Sequence, residues 1–202
     1  MSGRWHQERR RDPYHRLAKS EGMRSRAAYK LLQISDKYGI PSDGDVVLDL
    51  GCAPGGWLQA ARKSVGPSGY ILGVDVRPVK DLGFQNIHIL VGDIAESSIS
   101  SRILENLPRP ADVVLCDASP KFCGVAEVDR LRQLELSRRA LEISSDTLRD
   151  GGAALIKVME SEELSDFRRS MADHFEQVRL VKPQASRSGS SEMYLLGRGF
   201  KK

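Results

Sequence analysis

The chain has 202 residues, 40% hydrophobic and 29% charged, the balance of one ordinary globular domain that can bury its own core. No apolar run approaches the ~20 residues of a membrane span and no apolar stretch marks a secretory signal, so a cytoplasmic monomer is the expectation. The net charge of +4 is uneven: residues 1–30 hold nine Lys or Arg against three acids, and the rest of the chain is slightly acidic.

Residues 1–24 read as a basic arm, a candidate contact for a phosphate backbone. Trp5 and Tyr14 within it, and Tyr29 just beyond, are of the type that stacks on bases. The remainder, 25–202, reads as a single domain. "SRAAYKLLQISDKYG" (25–39) predicts a helix capped by Ser25 and ended by Gly39 and Pro41. Strands and helices then alternate. "DVVLDL" is a strand suited to burial on both faces, and "WLQAARKSV" is a helix that stops at Gly66-Pro67. "GYILGVDV" and "NIHILVGD" are strands, residues 98–107 a helix, and "ADVVLCDA" a fourth strand. A long amphipathic helix from Val128 is closed by Gly151-Gly152. "AALIKVM", a helix capped by Ser161, and the strands "EQVRLVKP" and "SEMYLLGRG" complete the chain, the last strand pairing antiparallel with the sixth.

This alternation predicts an α/β fold: a seven-stranded, mostly parallel sheet with an antiparallel last strand and helices on both faces. Ligands of such sheets lie outside the carboxyl ends of the strands. Four successive strands end at Asp49, Asp75, Asp93 and Asp117. The three cysteines form no CxxC pair and the four histidines show no ligand spacing, so neither a disulfide nor a metal site is expected.

The first strand runs into a glycine turn, "DLGCAPGGW", with Gly51, Pro54, Gly55 and Gly56 followed by Trp57. Its G-x-x-x-G-G spacing meets neither the dinucleotide fingerprint nor the P-loop. It permits close backbone approach without a phosphate cradle. Asp75, about 24 residues beyond Gly51, stands near the offset at which an acid takes ribose hydroxyls. A ligand with a ribose and no phosphate fits, and S-adenosylmethionine is one. Asp93 and Ile94 suit its adenine, and Trp57 has the choice of packing on the ligand or on the sheet.

"DLGCAPGGW", "GVDVRP", "GDI" and "CDASP", with "SRAAYKL", "ALIKV" and "SRSGSSEMYLLG", resemble the motifs of the FtsJ-type (RrmJ-like) ribosomal RNA 2′-O-methyltransferases over residues 13–199. The resemblance implies a Rossmann-like class I methyltransferase fold and S-adenosylmethionine as cofactor. Its motif I positions are Asp49, Gly51, Pro54, Gly55, Gly56 and Trp57, followed by Asp75, Asp93, Ile94 and Asp117. It also implies a catalytic tetrad of Lys30, Asp117, Lys157 and Glu192, and a uridine of large-subunit ribosomal RNA as substrate, free or within the subunit. One departure follows "DASP". The chain reads "KFCG" where bacterial members carry an Asn-Met-Ser-Gly type sequence, in a loop expected beside the substrate nucleotide.

A ribose 2′-hydroxyl is a poor acid, so transfer to it needs a base or a group that orients the oxygen. Lysine serves only where burial or a second cation lowers its pKa. Lys157 is the expected base or hydroxyl-orienting group, Lys30 its support, and Asp117 and Glu192 align the two ammonium groups. Other readings are weaker. "DASP" lacks the Asn/Asp-Pro-Pro-aromatic motif of amino methylation, and no cysteine has the setting of a C5-methylation nucleophile. Transfer RNA is the alternative substrate, and a non-catalytic RNA-binding ribosome-assembly protein the alternative class.

Overall fold

The computed structural model of the protein describes residues 12–187 and 189–202. Residues 1–11 of the predicted arm, Trp5 among them, lie outside that range. The helices are α1 Pro13–Ser20, α2 Ala28–Tyr38, α3 Gly56–Val65, α4 Ile99–Asn106, α5 Ala126–Thr147 and α6 Leu164–His174. The strands are β1 Val46–Leu50, β2 Tyr70–Asp75, β3 Ile87–Val91, β4 Ala111–Cys116, β5 Leu148–Met159, β6 Phe175–Val181 and β7 Glu192–Phe200. They form one sheet in the order β3-β2-β1-β4-β5-β7-β6. The first five are parallel, and β7 runs antiparallel to both β5 and β6. The expected seven-stranded α/β sheet is therefore present. Its last strand does more than pair with the sixth: β7 is inserted between β5 and β6.

Two apolar layers flank the sheet. Alternate side chains of β1 show the division. Val46, Leu48 and Leu50 enter a layer with Ile99 and Ile103 of α4, Leu141 of α5 and Phe167 of α6. Val47 enters the other with Leu31 and Ile34 of α2 and Trp57, Leu58 and Ala61 of α3. Burial on both faces explains why the central strands read as unbroken apolar runs. Asp49 shares the face of Val47 and is fully buried.

Three predicted helix ends move. Ser25 does not cap α2, whose first turn begins at Ala28 with no side-chain cap. Ser161 does not cap α6, where Glu163 holds that place and makes no capping bond. Gly151 and Gly152 do not close α5; Leu148 passes directly from that helix into β5, and the glycines lie within the strand. Part of the arm is a helix: the Asp12 carboxylate caps α1 by accepting the Tyr14 and His15 N–H groups at 3.1 and 3.2 Å. Cys52 and Cys116 are buried and Cys123 is exposed. Among the described residues no helix is long and apolar enough to cross a membrane.

Candidate active site

The carboxyl ends of β1 to β4 open on a crevice of about 710 Å³. Gly51, Asp75, Asp93, Ile94 and Asp117, all expected at the site, line it. Gly51 has φ +79°, and a Cβ there would stand 2.7 Å from Ala118 Cα. The turn thus runs against the loop after β4 with no room for a side chain. Asp75 braces this turn. Its Oδ2 accepts the Ala53 N–H and its Oδ1 the Arg77 N–H, both at 2.9 Å. Each oxygen retains acceptor capacity toward the crevice. Asp93 accepts the Ala95 N–H at 2.9 Å, and Ile94 is buried beside it.

Five expected residues are not on this wall. Asp49 is fully buried, and neither oxygen has a hydrogen-bond partner among the described residues. Burial, and then the charges of Asp117 and Asp75, push its carboxyl well above the usual carboxylate range. Trp57 packs on the α2 side: its indole N–H donates to Ala27 O at 2.9 Å and its ring lies 5.6 Å from Tyr194. Its side chain takes the sheet rather than the crevice, leaving its backbone at the start of α3. Pro54, Gly55 and Gly56 face the segment before α2. A Cβ on Gly55 would lie 3.2 Å from Arg24 Cδ, and one on Gly56 would strike Ser25 Oγ.

The segment 22–27 is clamped on this turn. Arg24 donates to Lys80 O, Asp81 O and Pro54 O at 2.5, 2.6 and 3.3 Å. Gln59 accepts the Arg24 N–H at 2.7 Å and donates to Gly22 O at 3.1 Å. Lys30 is thereby carried on a helix whose approach is anchored to α3.

Four charged residues from three elements and one loop meet beside the crevice. Lys157 of β5 is 3% exposed; its Nζ donates to Asp117 O at 2.7 Å and to Ser119 Oγ, and lies 3.3 Å from Asp117 Oδ1. Lys30 Nζ lies 3.3 Å from Glu192 Oε2 and 3.9 Å from Asp117 Oδ1. Lys30 also donates to the Tyr194 hydroxyl at 3.2 Å, and that hydroxyl donates to Asp117 Oδ1 at 2.7 Å. Burial pushes the Asp117 carboxyl up, but Lys157, Lys30 and the tyrosine bond together hold it below its ordinary value. Burial, with the Asp117 charge, pushes the Tyr194 hydroxyl far up, so it stays a donor.

The register explains the meeting. Antiparallel pairing sets Lys157 opposite Tyr194 and Met159 opposite Glu192. Lys30 and Glu192 also line a second cavity of about 630 Å³, whose walls include Phe122 and Arg187. The cluster therefore lies between two cavities, with Asp117 on one wall and Lys30 and Glu192 on the other. Two buried ammonium groups balanced by two carboxylates can orient a polar oxygen and stabilise charge that builds on it.

The family model for FtsJ-like methyltransferases matches residues 23–200. The chain belongs to that family. It is a methyltransferase. Its relatives include two proteins named ribosomal RNA large subunit methyltransferase E. The one from Methanococcus aeolicus is 44% identical over 98% of this chain and 73% of its own length. That from Methanothermobacter thermautotrophicus is 41% identical over all of this chain and 95% of its own. The crystal structure of a Plasmodium falciparum protein described as a ribosomal RNA methyltransferase superposes with a TM-score of 0.77 at 25% identity, covering 88% of this chain and 98% of that one.

Sequence reasoning missed Tyr194 and Ser119 in this methyltransferase. Tyr194 was detectable, because residues two apart on a strand share a face and Glu192 was already assigned to the site. Ser119 carried no signal of its own; its position depends on the path of the loop after β4.

Proposed function

We propose that this chain transfers the methyl group of S-adenosylmethionine to a ribose 2′-hydroxyl of RNA, at a uridine of large-subunit (23S) ribosomal RNA. The observation that carries this reading is the Lys30–Tyr194–Asp117–Lys157 chain at the seam of two cavities, one for the donor and one for the acceptor. The names of the relatives favour large-subunit RNA over transfer RNA.

When bound, S-adenosylmethionine supplies a sulfonium-activated methyl group, so the protein's task is orientation and charge stabilisation. The crevice suits it. Gly51 lines the crevice on a turn packed tightly against the β4 loop, and Asp75 offers acceptor capacity to ribose hydroxyls. Asp93 and the buried Ile94 offer an acceptor and an apolar face to the adenine. Gly56 and Trp57 contribute through the backbone of the first turn of α3, where N–H groups lack intrahelical partners, and Gly55, whose own N–H donates to Cys52 O at 2.7 Å, shapes the approach to that turn.

Lys157 is surrounded by acceptors, the Asp117 carbonyl and carboxylate and the Ser119 hydroxyl, which is the setting of an ammonium. It acts as the cation that orients the acceptor oxygen and stabilises the charge that builds on it, while the hydroxyl proton passes to solvent water. Lys30 supports it, and Asp117 and Glu192 fix both ammonium groups. Residues 25–202 supply this machinery, and the segment 1–24 contributes RNA contacts.

A mass-spectrometric map of ribose methylation in ribosomal and transfer RNA, with and without the protein, tests the assignment. One missing methyl on a large-subunit uridine is expected without the protein; a change confined to transfer RNA would select the other substrate. Binding of S-adenosylmethionine with no methyl transfer to any RNA would leave an RNA-binding assembly protein. Lys157→Ala should lower kcat by about a thousandfold while leaving S-adenosylmethionine affinity within about twofold, read by labelled-methyl transfer and calorimetry.

A further inference from the structure

The loop between β4 and α5 holds a half-exposed aromatic side chain at the mouth of the second cavity. Phe122 is 48% exposed and belongs to neither apolar layer. The loop is not loose around it. Cys123 and Gly124 donate their N–H groups to the Asp129 carboxylate at 2.8 and 3.0 Å, and Arg132 donates to Lys121 O at 3.3 Å. Gln133 holds Ala118 O at 3.2 Å. The backbone is thus pinned on both sides of residue 122, and its ring is held out on a fixed base.

The cavity beneath has three kinds of wall. Phe122 and Met159 are apolar, Lys30 and Glu192 are the polar floor shared with the tetrad, and Arg26 and Arg187 supply positive charge. Asp12 and Ala185 O bind the Arg26 guanidinium; Arg187 Nε lies 3.9 Å from the same Asp12 carboxylate, and its side chain is 52% exposed. Arg26 and Arg187 also line the adjoining groove with His15, Lys19 and Arg24, so cations continue away from the cavity. A flat apolar face, a hydroxyl-orienting floor and a cationic wall match the three parts of a nucleotide: base, ribose and phosphate.

We propose that Phe122 is the stacking platform for the base of the acceptor nucleotide, seating it so that its ribose reaches the Lys157 cluster. This rests on the RNA 2′-O-methyltransferase reading. Stacking on an aromatic face tolerates any base, so Phe122 governs seating while the surrounding RNA selects the nucleotide. It is a positioning residue rather than a catalytic one.

The test compares Phe122→Ala, Phe122→Leu, Phe122→Tyr and Phe122→Trp in the full chain, with unmethylated large ribosomal subunits and their extracted RNA as substrates. Phe122→Ala and Phe122→Leu should raise KM for RNA about tenfold or more, the effect of losing one stacked base. Phe122→Tyr and Phe122→Trp should stay near wild type, and S-adenosylmethionine affinity should be unchanged in all four. A Leu variant as good as wild type would overturn the proposal, because it would make residue 122 an apolar filler. A fall in S-adenosylmethionine affinity parallel to the rise in KM would also overturn it, because it would place the residue in the fold rather than in the acceptor site. In both cases the wild type still methylates RNA and the functional reading stands. If the wild type methylates neither substrate, both fall.

Discussion

Asp117 and Asp49 are two carboxyl groups at the ends of neighbouring strands whose environments push them in opposite directions. Asp117 has two ammonium groups and a tyrosine hydroxyl to offset its burial; Asp49 has no hydrogen-bond partner among the described residues. The consequences for stability are opposite in sign. A carboxyl held below its unfolded pKa contributes stability above that value and loses it as the pH falls through the folded one. A carboxyl pushed up costs stability as the pH rises through the carboxylate range. Asp112 is of the first kind. Burial opposes its ionisation, but Arg109, Arg149 and the Val46 N–H outweigh burial and hold it below its ordinary value. Asp112→Asn should therefore lower stability by about 2 kcal/mol at neutral pH, with the deficit shrinking only as the pH falls below the ordinary carboxylate range. Asp49→Asn should raise Tm at about pH 8, with the gain shrinking toward about pH 4. Thermal unfolding of both variants across this range checks the two signs, and parallel shifts at every pH would contradict them.

At the scale of elements, the glycine turn is held between two neighbours. Asp75 ties it to the end of β2, and Arg24 ties it to the approach to α2. Its glycines have different reasons to be there. Gly51 has no space because of the β4 loop, and Gly56 because of Ser25; outside the turn, in the loop between β2 and β3, Gly83 shares the positive φ of Gly51 but has nothing within 4 Å among the described residues. Gly51→Ala and Gly83→Ala both incur backbone strain of about 1 kcal/mol, but only the first also collides with packed backbone. Gly51→Ala should weaken S-adenosylmethionine binding by about tenfold or more and lower Tm further than Gly83→Ala, which should leave binding unchanged; calorimetry and thermal unfolding separate them. This contrast was legible in part. The positions of the glycines in the turn could be read, but which partner each one faces could not, since Ala118 and Ser25 come from distant segments. Trp57 illustrates the same limit. An aromatic residue at a helix start is compatible with either side of the turn, and the Ala27 carbonyl decides it.

At the scale of the molecule, positive charge gathers on one side of the second cavity. Arg24, Arg26, Arg187 and Lys19 line one groove, and four further arginines lie in residues 1–11. If those arginines meet phosphates, deleting residues 1–11 should weaken RNA binding and reduce the salt slope by about one for each phosphate that is no longer neutralised. Affinity measured at several salt concentrations reads the slope, and an unchanged slope would remove the segment from the interface. The cut belongs after residue 11, because Asp12 caps α1 and binds Arg26.

The alternation of apolar runs and helical stretches determined the α/β class by itself, because parallel strands buried on both faces leave a pattern that local sequence carries. The resemblance of the motifs to those of FtsJ-type enzymes singled out Lys30, Asp117, Lys157 and Glu192 in order along the chain. The tertiary structure alone decided how they meet. Insertion of β7 between β5 and β6 sets Tyr194 across from Lys157. The clamp of Arg24 and Gln59 anchors the approach to α2, the helix that carries Lys30. The loop pinned by Asp129 holds Phe122 on the wall of the second cavity. Each of these depends on residues far apart in the chain coming together, and local periodicity carries no record of such pairings.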